Sequence, residues 1–281
     1  MSLFGRRGFL AGMALLIVAW WATPSAGDDN ETIWNGRSGG FSIAWRTDRL
    51  ELSDAGKLAM SFKALAEREW SRVREGADNR ALRMEKTYAV LSAVGPWLSV
   101  QAGTYCDCGG AHPTAVLGVY AYDLRESRVD SGAPANLSSL FPADAILSAL
   151  LDNDAIRTAL KDASLAPPRT LPELIDALAF KTVTVGDCDF VFNDALLSSF
   201  ALHHIDGDKV AVRFGLLPAA EICRGLTTQI EILLPVTETI RASLLAARDG
   251  SGGLLMEKAE SMAAGRTTAF TFSFEPGQGR N

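Results

Sequence analysis

The chain has 281 residues, of which 48% are hydrophobic and 21% are charged, as in an ordinary folded protein rather than a disordered or collagen-like one. Its formal net charge is −6, so it has no surplus of basic residues to neutralise the phosphates of a nucleic acid or to anchor it on anionic lipid. The length accommodates one large domain or two small ones.

The first predicted element is an export signal. Arg6 and Arg7 precede an apolar run, residues 8–22, which is followed by small residues that suit a cleavage site. The two arginines and the Gly-Phe-Leu after them resemble the twin-arginine signal, although Ala11 stands where that pattern usually has Lys; an ordinary secretory signal is the alternative. We predict a signal peptide over residues 1–26 and export to the periplasm, with no stable membrane span after cleavage. An uncleaved signal would leave the protein membrane-anchored, although an apolar run of about 15 residues is shorter than a spanning helix.

The first half of the mature chain is predicted to contain a polar lead-in, a strand, an amphipathic helix and three further strands. Residues 41–45 alternate between apolar and polar side chains, as in a half-buried strand. Leu58, Phe62 and Leu65 recur at helical spacing, and the Gly-Pro pair at 95–96 is a turn signal between two strand-like runs. The predicted bounds in chain order are 27–38, 41–45, 57–76, 81–94, 97–108 and 115–124.

The second half is predicted to contain helices, a hairpin, a strand, a last helix and a tail. Thr170 followed by Pro172 is typical of a capped helix start, and the Asp-Gly-Asp run at 206–208 is a hairpin signal. The predicted bounds are 136–180 for the helices, 197–205, 209–216 and 226–234 for the strands, and 235–247 for the last helix. The Gly-containing tail is interpreted as either an edge strand or a disordered terminus.

The strands and helices come in blocks without strict alternation. This order predicts an α+β fold, with a mainly antiparallel sheet packed against several helices. We expect a single domain over residues 39–247, followed by the tail over residues 248–281, and we expect the protein to be a monomer.

Four cysteines in the mature chain predict disulfides, because an even number of cysteines in an exported protein is typically paired. They are Cys106, Cys108, Cys188 and Cys223. We expect Cys106 and Cys108 to be cross-linked to Cys188 and Cys223, with the individual partners left open. A direct bond between Cys106 and Cys108 would need a bent backbone, because an extended spacing of two residues nears or exceeds the usual Cα separation in a disulfide. A metal site that combines these thiolates with His112 is the rival interpretation, and an oxidising compartment disfavours it.

The three histidines are candidates for a general base or for imidazole ligands. His203 and His204 are adjacent in a predicted strand, so their side chains should point to opposite faces and could not easily bind one metal ion. His112 follows two glycines and precedes Pro113, which predicts a fixed turn in which the imidazole hydrogen-bonds backbone groups. Contact with a ligand is the alternative for His112. We predict no catalytic residue, no metal and no cofactor.

The segment Tyr105–Pro113 resembles the signature "Tyr…Gly-Gly-Ala-His-Pro" of the RsiV/PdaC-like exported domain of bacteria. The family then shows a strand, a Leu-Phe segment that leads into helices, a strand hairpin, a loop that ends in Gly and a strand that ends in Pro. Similar segments follow here in the same order, so the resemblance covers about residues 80–247. The extra cysteines and the Phe-rich tail depart from the family's pattern.

The resemblance implies a wall-facing or periplasmic binding module. One relative is the outward-facing part of an anti-sigma factor that binds lysozyme, and another stands beside a peptidoglycan deacetylase domain; neither uses this domain as a proven catalyst. The implied partner is a lysozyme-like protein or peptidoglycan, and the alternative is a periplasmic hydrolase of peptidoglycan with His112 in its site. The candidate binding residues are Tyr105, Gly109, Gly110, Ala111 and His112.

Overall fold

The computed structural model describes residues 31–76, 80–161 and 168–275. Within these ranges the chain forms six α-helices and thirteen β-strands, and all of the strand pairings there are antiparallel. The fold class is therefore α+β with antiparallel sheets, which confirms the prediction. The predicted export signal, residues 1–26, lies outside the described ranges. None of the helices within them is both long and apolar enough to cross a membrane.

The elements are numbered here in chain order. The strands are β1 (Thr32–Ser38), β2 (Phe41–Arg46), β3 (Leu50–Asp54), β4 (Lys57–Ser61), β5 (Leu82–Val94), β6 (Trp97–Asp107), β7 (Thr114–Asp123), β8 (Thr182–Val185), β9 (Cys188–Val191), β10 (Phe200–Asp206), β11 (Lys209–Pro218), β12 (Thr228–Pro235) and β13 (Thr268–Phe274). The helices are α1 (Phe62–Glu75), α2 (Ala143–Asp152), α3 (Asp154–Lys161), α4 (Leu171–Leu178), α5 (Glu238–Asp249) and α6 (Met256–Ala263).

The strands form three sheets. An N-terminal meander has the order β1-β2-β3-β4, so neighbours in the sheet are also neighbours in the sequence. A middle sheet has the order β13-β5-β6-β7, which places the last strand of the chain at an edge beside β5. In the C-terminal sheet β11 lies between β10 and β12, and it pairs with β9 only at Leu217 and Pro218.

Two large apolar clusters form the core. The larger one lies between the C-terminal sheet and α2 to α5, and it includes Phe192, Phe200 and Phe214, each with no exposed surface. The second lies between the N-terminal meander, α1, α6 and the middle sheet, with Trp45 and Phe62 fully buried. Burial of a large apolar side chain contributes about 1.5–3 kcal/mol, so these clusters are the main source of stability.

Local turn and capping signals predicted several elements correctly. The turn at 95–96 joins β5 to β6, and the turn at 206–208 joins β10 to β11. Thr170 caps α4, and its Oγ1 accepts a hydrogen bond of 3.3 Å from the Glu173 N–H. The tail forms an edge strand, β13, in which the fully buried Thr268 donates a hydrogen bond to the Arg46 carbonyl oxygen.

Other predicted elements differ from the structure because strand pairing overrides the local pattern. Residues 27–38 were expected to be a loose lead-in, but Thr32–Ser38 is β1 and pairs with β2. The helix expected from residue 57 begins at Phe62, because Lys57–Ser61 is β4 and pairs with β3. Four short elements, β3, β8, β9 and α6, were not predicted.

A β-bulge in β10 overturns the prediction for the two adjacent histidines. The register between β10 and β11 shifts between Leu202 and Ile205, so His203 and His204 together oppose a single residue, Ala211. Two residues opposite one interrupt the alternation of side chains. The two imidazoles meet, with 2.6 Å between their Nδ1 atoms. The prediction of opposite faces was wrong because it assumed unbroken alternation.

Candidate functional site

The signature segment, Tyr105–Pro113, forms the last residues of β6 and the loop between β6 and β7. The chain turns through Gly109, whose φ of +85° is a left-handed conformation that favours glycine. Arg80 donates a hydrogen bond of 2.9 Å from Nη1 to the Gly109 carbonyl oxygen. Gly110 and Ala111 are exposed, and the His112 side chain is 56% exposed. The loop is therefore fastened at its start, and its second half faces outward.

One disulfide lies at the start of this loop, and the other fastens a second loop, residues 219–227. The pairing of the cysteines differs from the predicted one. Cys106 is bonded to Cys108, and Cys188 is bonded to Cys223. The predicted cross-links from Cys106 and Cys108 to Cys188 and Cys223 were therefore wrong. The direct bond fits because Cys108 lies beyond the end of β6, where the bending chain brings the two Cα atoms to 5.2 Å. None of these four thiols is free, as predicted, and such pairing is typical of exported proteins.

A second loop, residues 219–227, follows β11 and faces the signature loop. Its short helical turn, Glu221–Cys223, is fastened to β9 by the Cys188–Cys223 disulfide, with 6.0 Å between the Cα atoms. Ile222 lies in this turn and is 92% exposed. The fastened turn therefore holds a large apolar side chain in water, where a partner can cover it.

His112 contacts the second loop through Arg224. Arg224 Nη1 lies 3.2 Å from His112 Nδ1 and donates a hydrogen bond of 2.8 Å to Glu221 Oε1. Because a guanidinium only donates, Nδ1 must be unprotonated in this contact and cannot also donate to the Pro113 carbonyl oxygen, 3.3 Å away. In the tautomer that accepts from Arg224 the imidazole links the two loops, and in the other tautomer it donates to its own turn at Pro113, as the sequence predicts.

An open groove of about 530 Å³ lies between the two loops. Its lining is mostly apolar, with one guanidinium, and comprises Tyr105, Pro113, Ala115, Ile222, Arg224 and Leu226.

The groove brings together some of the predicted binding residues. Tyr105 lines it, and His112 lies at its rim beside Arg224. Gly109, Gly110 and Ala111 form the loop without lining the groove. Sequence reasoning missed Ile222 and Arg224, although an isoleucine next to a cysteine in a polar loop was an available signal.

The chemistry of the groove suits binding better than acid–base catalysis. Glu221 Oε1 lies 3.7 Å from His112 Nδ1, and the same oxygen is ion-paired with Arg224. Hydrolysis of a glycoside by the common route uses two carboxyl groups about 5–9.5 Å apart that flank the bond. Among the residues that the structure describes, Glu221 is the one carboxylate within 4 Å of the imidazole, and it is already paired with Arg224. The groove has a mostly apolar lining, and the hydrogen-bonding groups of Arg224 and His112 lie at its rim.

Comparison with known proteins leaves the family open: no protein-family model matches the chain, and no curated protein matches it. The resemblance to RsiV/PdaC-like domains stays a prediction that rests on the segment Tyr105–Pro113 and on the order of the later elements.

Replacement of His112 by alanine is expected to change the free energy of unfolding by less than about 1 kcal/mol. The side chain is 56% exposed, so water replaces its contact with Arg224. Urea denaturation of the wild type and the variant measures the difference. A loss above about 2 kcal/mol would show that the imidazole satisfies buried groups after all, as the sequence suggested.

Proposed function

We propose that the protein is an exported, periplasmic binding module without catalytic activity, whose ligand is a cell-wall fragment or a wall-acting protein such as lysozyme. The observation that carries the proposal is Ile222, 92% exposed on a disulfide-fastened loop beside an open groove.

The groove is suited to a partner because its contact groups are already in place. Full burial of an isoleucine side chain contributes about 1.5–3 kcal/mol, and Ile222 contributes almost none of this in the free protein. The two disulfides and the Arg224–Glu221 ion pair hold the rim, so little ordering is needed when a ligand binds.

Charge and compartment support this class of partner. The net charge of −6 favours the approach of a basic protein through electrostatic steering. The paired cysteines fit an oxidising compartment, and the predicted export signal indicates how the chain would reach it. The choice of cell-wall fragments and lysozyme as ligands rests only on the resemblance of the signature segment to RsiV/PdaC-like domains.

Replacement of Ile222 by aspartate is expected to weaken binding at least tenfold. A charge in the centre of the contact removes the apolar burial and adds a cost of desolvation. Isothermal titration calorimetry of the purified chain, with lysozyme and separately with soluble peptidoglycan fragments, measures the affinity. The matched control is Phe180→Asp, because Phe180 is 88% exposed but does not line the groove.

Two results would contradict the proposal. One is the absence of heat of binding with both probes, and the other is an equal loss of affinity in the Ile222 and Phe180 variants. Mass spectrometry of the peptidoglycan sample after titration separates binding from hydrolysis. Cleaved fragments that disappear with His112→Ala would favour the hydrolase alternative.

A further inference from the structure

Side chains from β10, β11 and β12 meet on one face of the C-terminal sheet. This face is turned away from the larger apolar cluster, which is called the main core below. Val210 and Val212 of β11 belong to the main core, so Ala211 and Arg213 face the other side. Ala211 is small and fully buried, and it lies opposite the bulge of β10. Long side chains from β10 and β12 can therefore reach one another across β11.

Two histidines and a carboxylate occupy this place. His203 and His204 come from the bulge in β10, and Glu231 comes from β12, where it pairs with Arg213 across the strands. One ligand atom from each of the three residues lies within 4.8 Å of the other two. His203 is buried, His204 is half-buried and Glu231 is exposed, so the cluster opens to solvent on one side.

The facing Nδ1 atoms of His203 and His204 must have a proton or a cation between them. A neutral imidazole has one N–H and one lone pair, so the two nitrogens at 2.6 Å must either share a proton or direct both lone pairs at a cation. Bonds of about 2.0–2.1 Å to one ion, at angles of about 90–110°, would place the nitrogens about 2.9–3.4 Å apart. The two nitrogens, now 2.6 Å apart, would therefore move apart by about 0.3–0.8 Å when an ion binds.

Two charged side chains surround the cluster as the outer partners of a metal site do. Glu260 of α6 has Oε2 3.8 Å from His203 Nε2, the ring nitrogen that faces away from His204. A carboxylate in that position favours the tautomer whose Nδ1 is free to bind a metal. Arg213 Nε binds Glu231 Oε2 at 2.9 Å, which leaves the other oxygen of Glu231 available. One guanidinium faces two carboxylates, so the surroundings retain a net negative charge.

We propose that His203, His204 and Glu231 bind one divalent transition-metal ion of the zinc class. Two imidazoles and one carboxylate are a ligand set that Zn²⁺ accepts, with a fourth position open to water on the exposed side. All four cysteines are in disulfides, so thiolates do not compete for the ion. The site departs from the sequence expectation of no metal, and it shares no residue with the lining of the Tyr105 groove.

Isothermal titration of the purified chain with ZnCl₂, after treatment with a chelator, tests the site. We expect one Zn²⁺ per chain, and we expect Glu231→Gln and His204→Gln each to weaken binding at least tenfold. Cobalt(II) in place of zinc gives a second readout, a visible absorption band of the bound ion, which both variants should lose. Glu231 and His204 are not fully buried, so these variants should remain folded.

The matched control is Glu238→Gln. Glu238 Oε1 lies 3.0 Å from Arg241 Nε, so this variant also breaks a glutamate–arginine pair. That pair lies on α5, whereas the histidines lie on β10. It should bind zinc like the wild type. A wild-type chain that takes up no zinc, or variants of His204 and Glu231 that bind as tightly as the wild type, would overturn the proposal and leave a hydrogen bond between the imidazoles as the role of the pair.

Discussion

Replacement of Cys188 and Cys223 together by serine is expected to lower the free energy of unfolding by about 4 kcal/mol. The bond joins residues 35 apart in sequence and therefore removes much of the freedom of the unfolded chain. Cys223 is also buried, so a serine hydroxyl there must find a hydrogen-bond partner or be left without one. Chemical denaturation of both proteins under non-reducing conditions measures the loss.

The matched control is the double serine variant of Cys106 and Cys108. That bond joins residues only two apart, so it constrains the unfolded chain far less and its loss should cost less. The Cys188–Cys223 variant should also lose affinity for any ligand of the groove, because Ile222 is no longer held in place. Equal losses of stability in the two double variants would contradict the pairing described here.

Replacement of Gly39 by alanine is expected to lower the free energy of unfolding by about 2–5 kcal/mol, the sum of a steric clash and a strained backbone. Gly39 lies in the turn between β1 and β2 with φ of +56°. A Cβ atom there would lie 2.3 Å from the Gly95 carbonyl carbon and 2.5 Å from its oxygen. These are backbone atoms, so the turns of two sheets would have to separate. The buried hydrogen bond of 2.8 Å from Ser38 Oγ to the Gly95 carbonyl oxygen would be disturbed as well.

Gly40→Ala is the matched control, which separates the steric clash between position 39 and the Gly95 backbone from the cost of the backbone conformation. Gly40 also has a positive φ, +92°, but a Cβ atom there would meet nothing within 4 Å. Only the backbone cost of about 1–2 kcal/mol is then expected. Thermal and urea denaturation of the two variants should therefore differ clearly, and similar stabilities would show that the two turns are not in contact.

Elements with strong local signals could be predicted from the sequence. The turn at Gly95 and Pro96, the Thr170 cap and the hairpin at 206–208 each depend on a few adjacent residues. Backbone preference acts on such short stretches directly, so these features are visible without knowledge of the fold.

The elements that were missed depend on partners distant in sequence. β4 has the apolar spacing of a helix, but its pairing with β3 makes it a strand. The bulge at His203 and His204 exists only in the register of β10 against β11. Disulfide pairing is likewise a property of the folded chain: Cys108 can reach Cys106 only because the chain bends after β6.

The candidate groove was half visible in the sequence. Tyr105 and His112 belong to a recognisable segment, whereas Ile222 and Arg224 come from a loop more than a hundred residues away. Their importance arises from exposure and proximity, which depend on the position of β11 and on the Cys188–Cys223 bond.

Hydrogen–deuterium exchange tests whether the groove binds a ligand, because it locates the surface that a ligand covers. The purified chain is measured alone, with lysozyme and with soluble peptidoglycan fragments. With at least one of these probes, we expect slower exchange in residues 105–115 and 219–227 and unchanged exchange in the N-terminal meander. Slower exchange confined to other segments, or no change with either probe, would show that the groove is not the binding site.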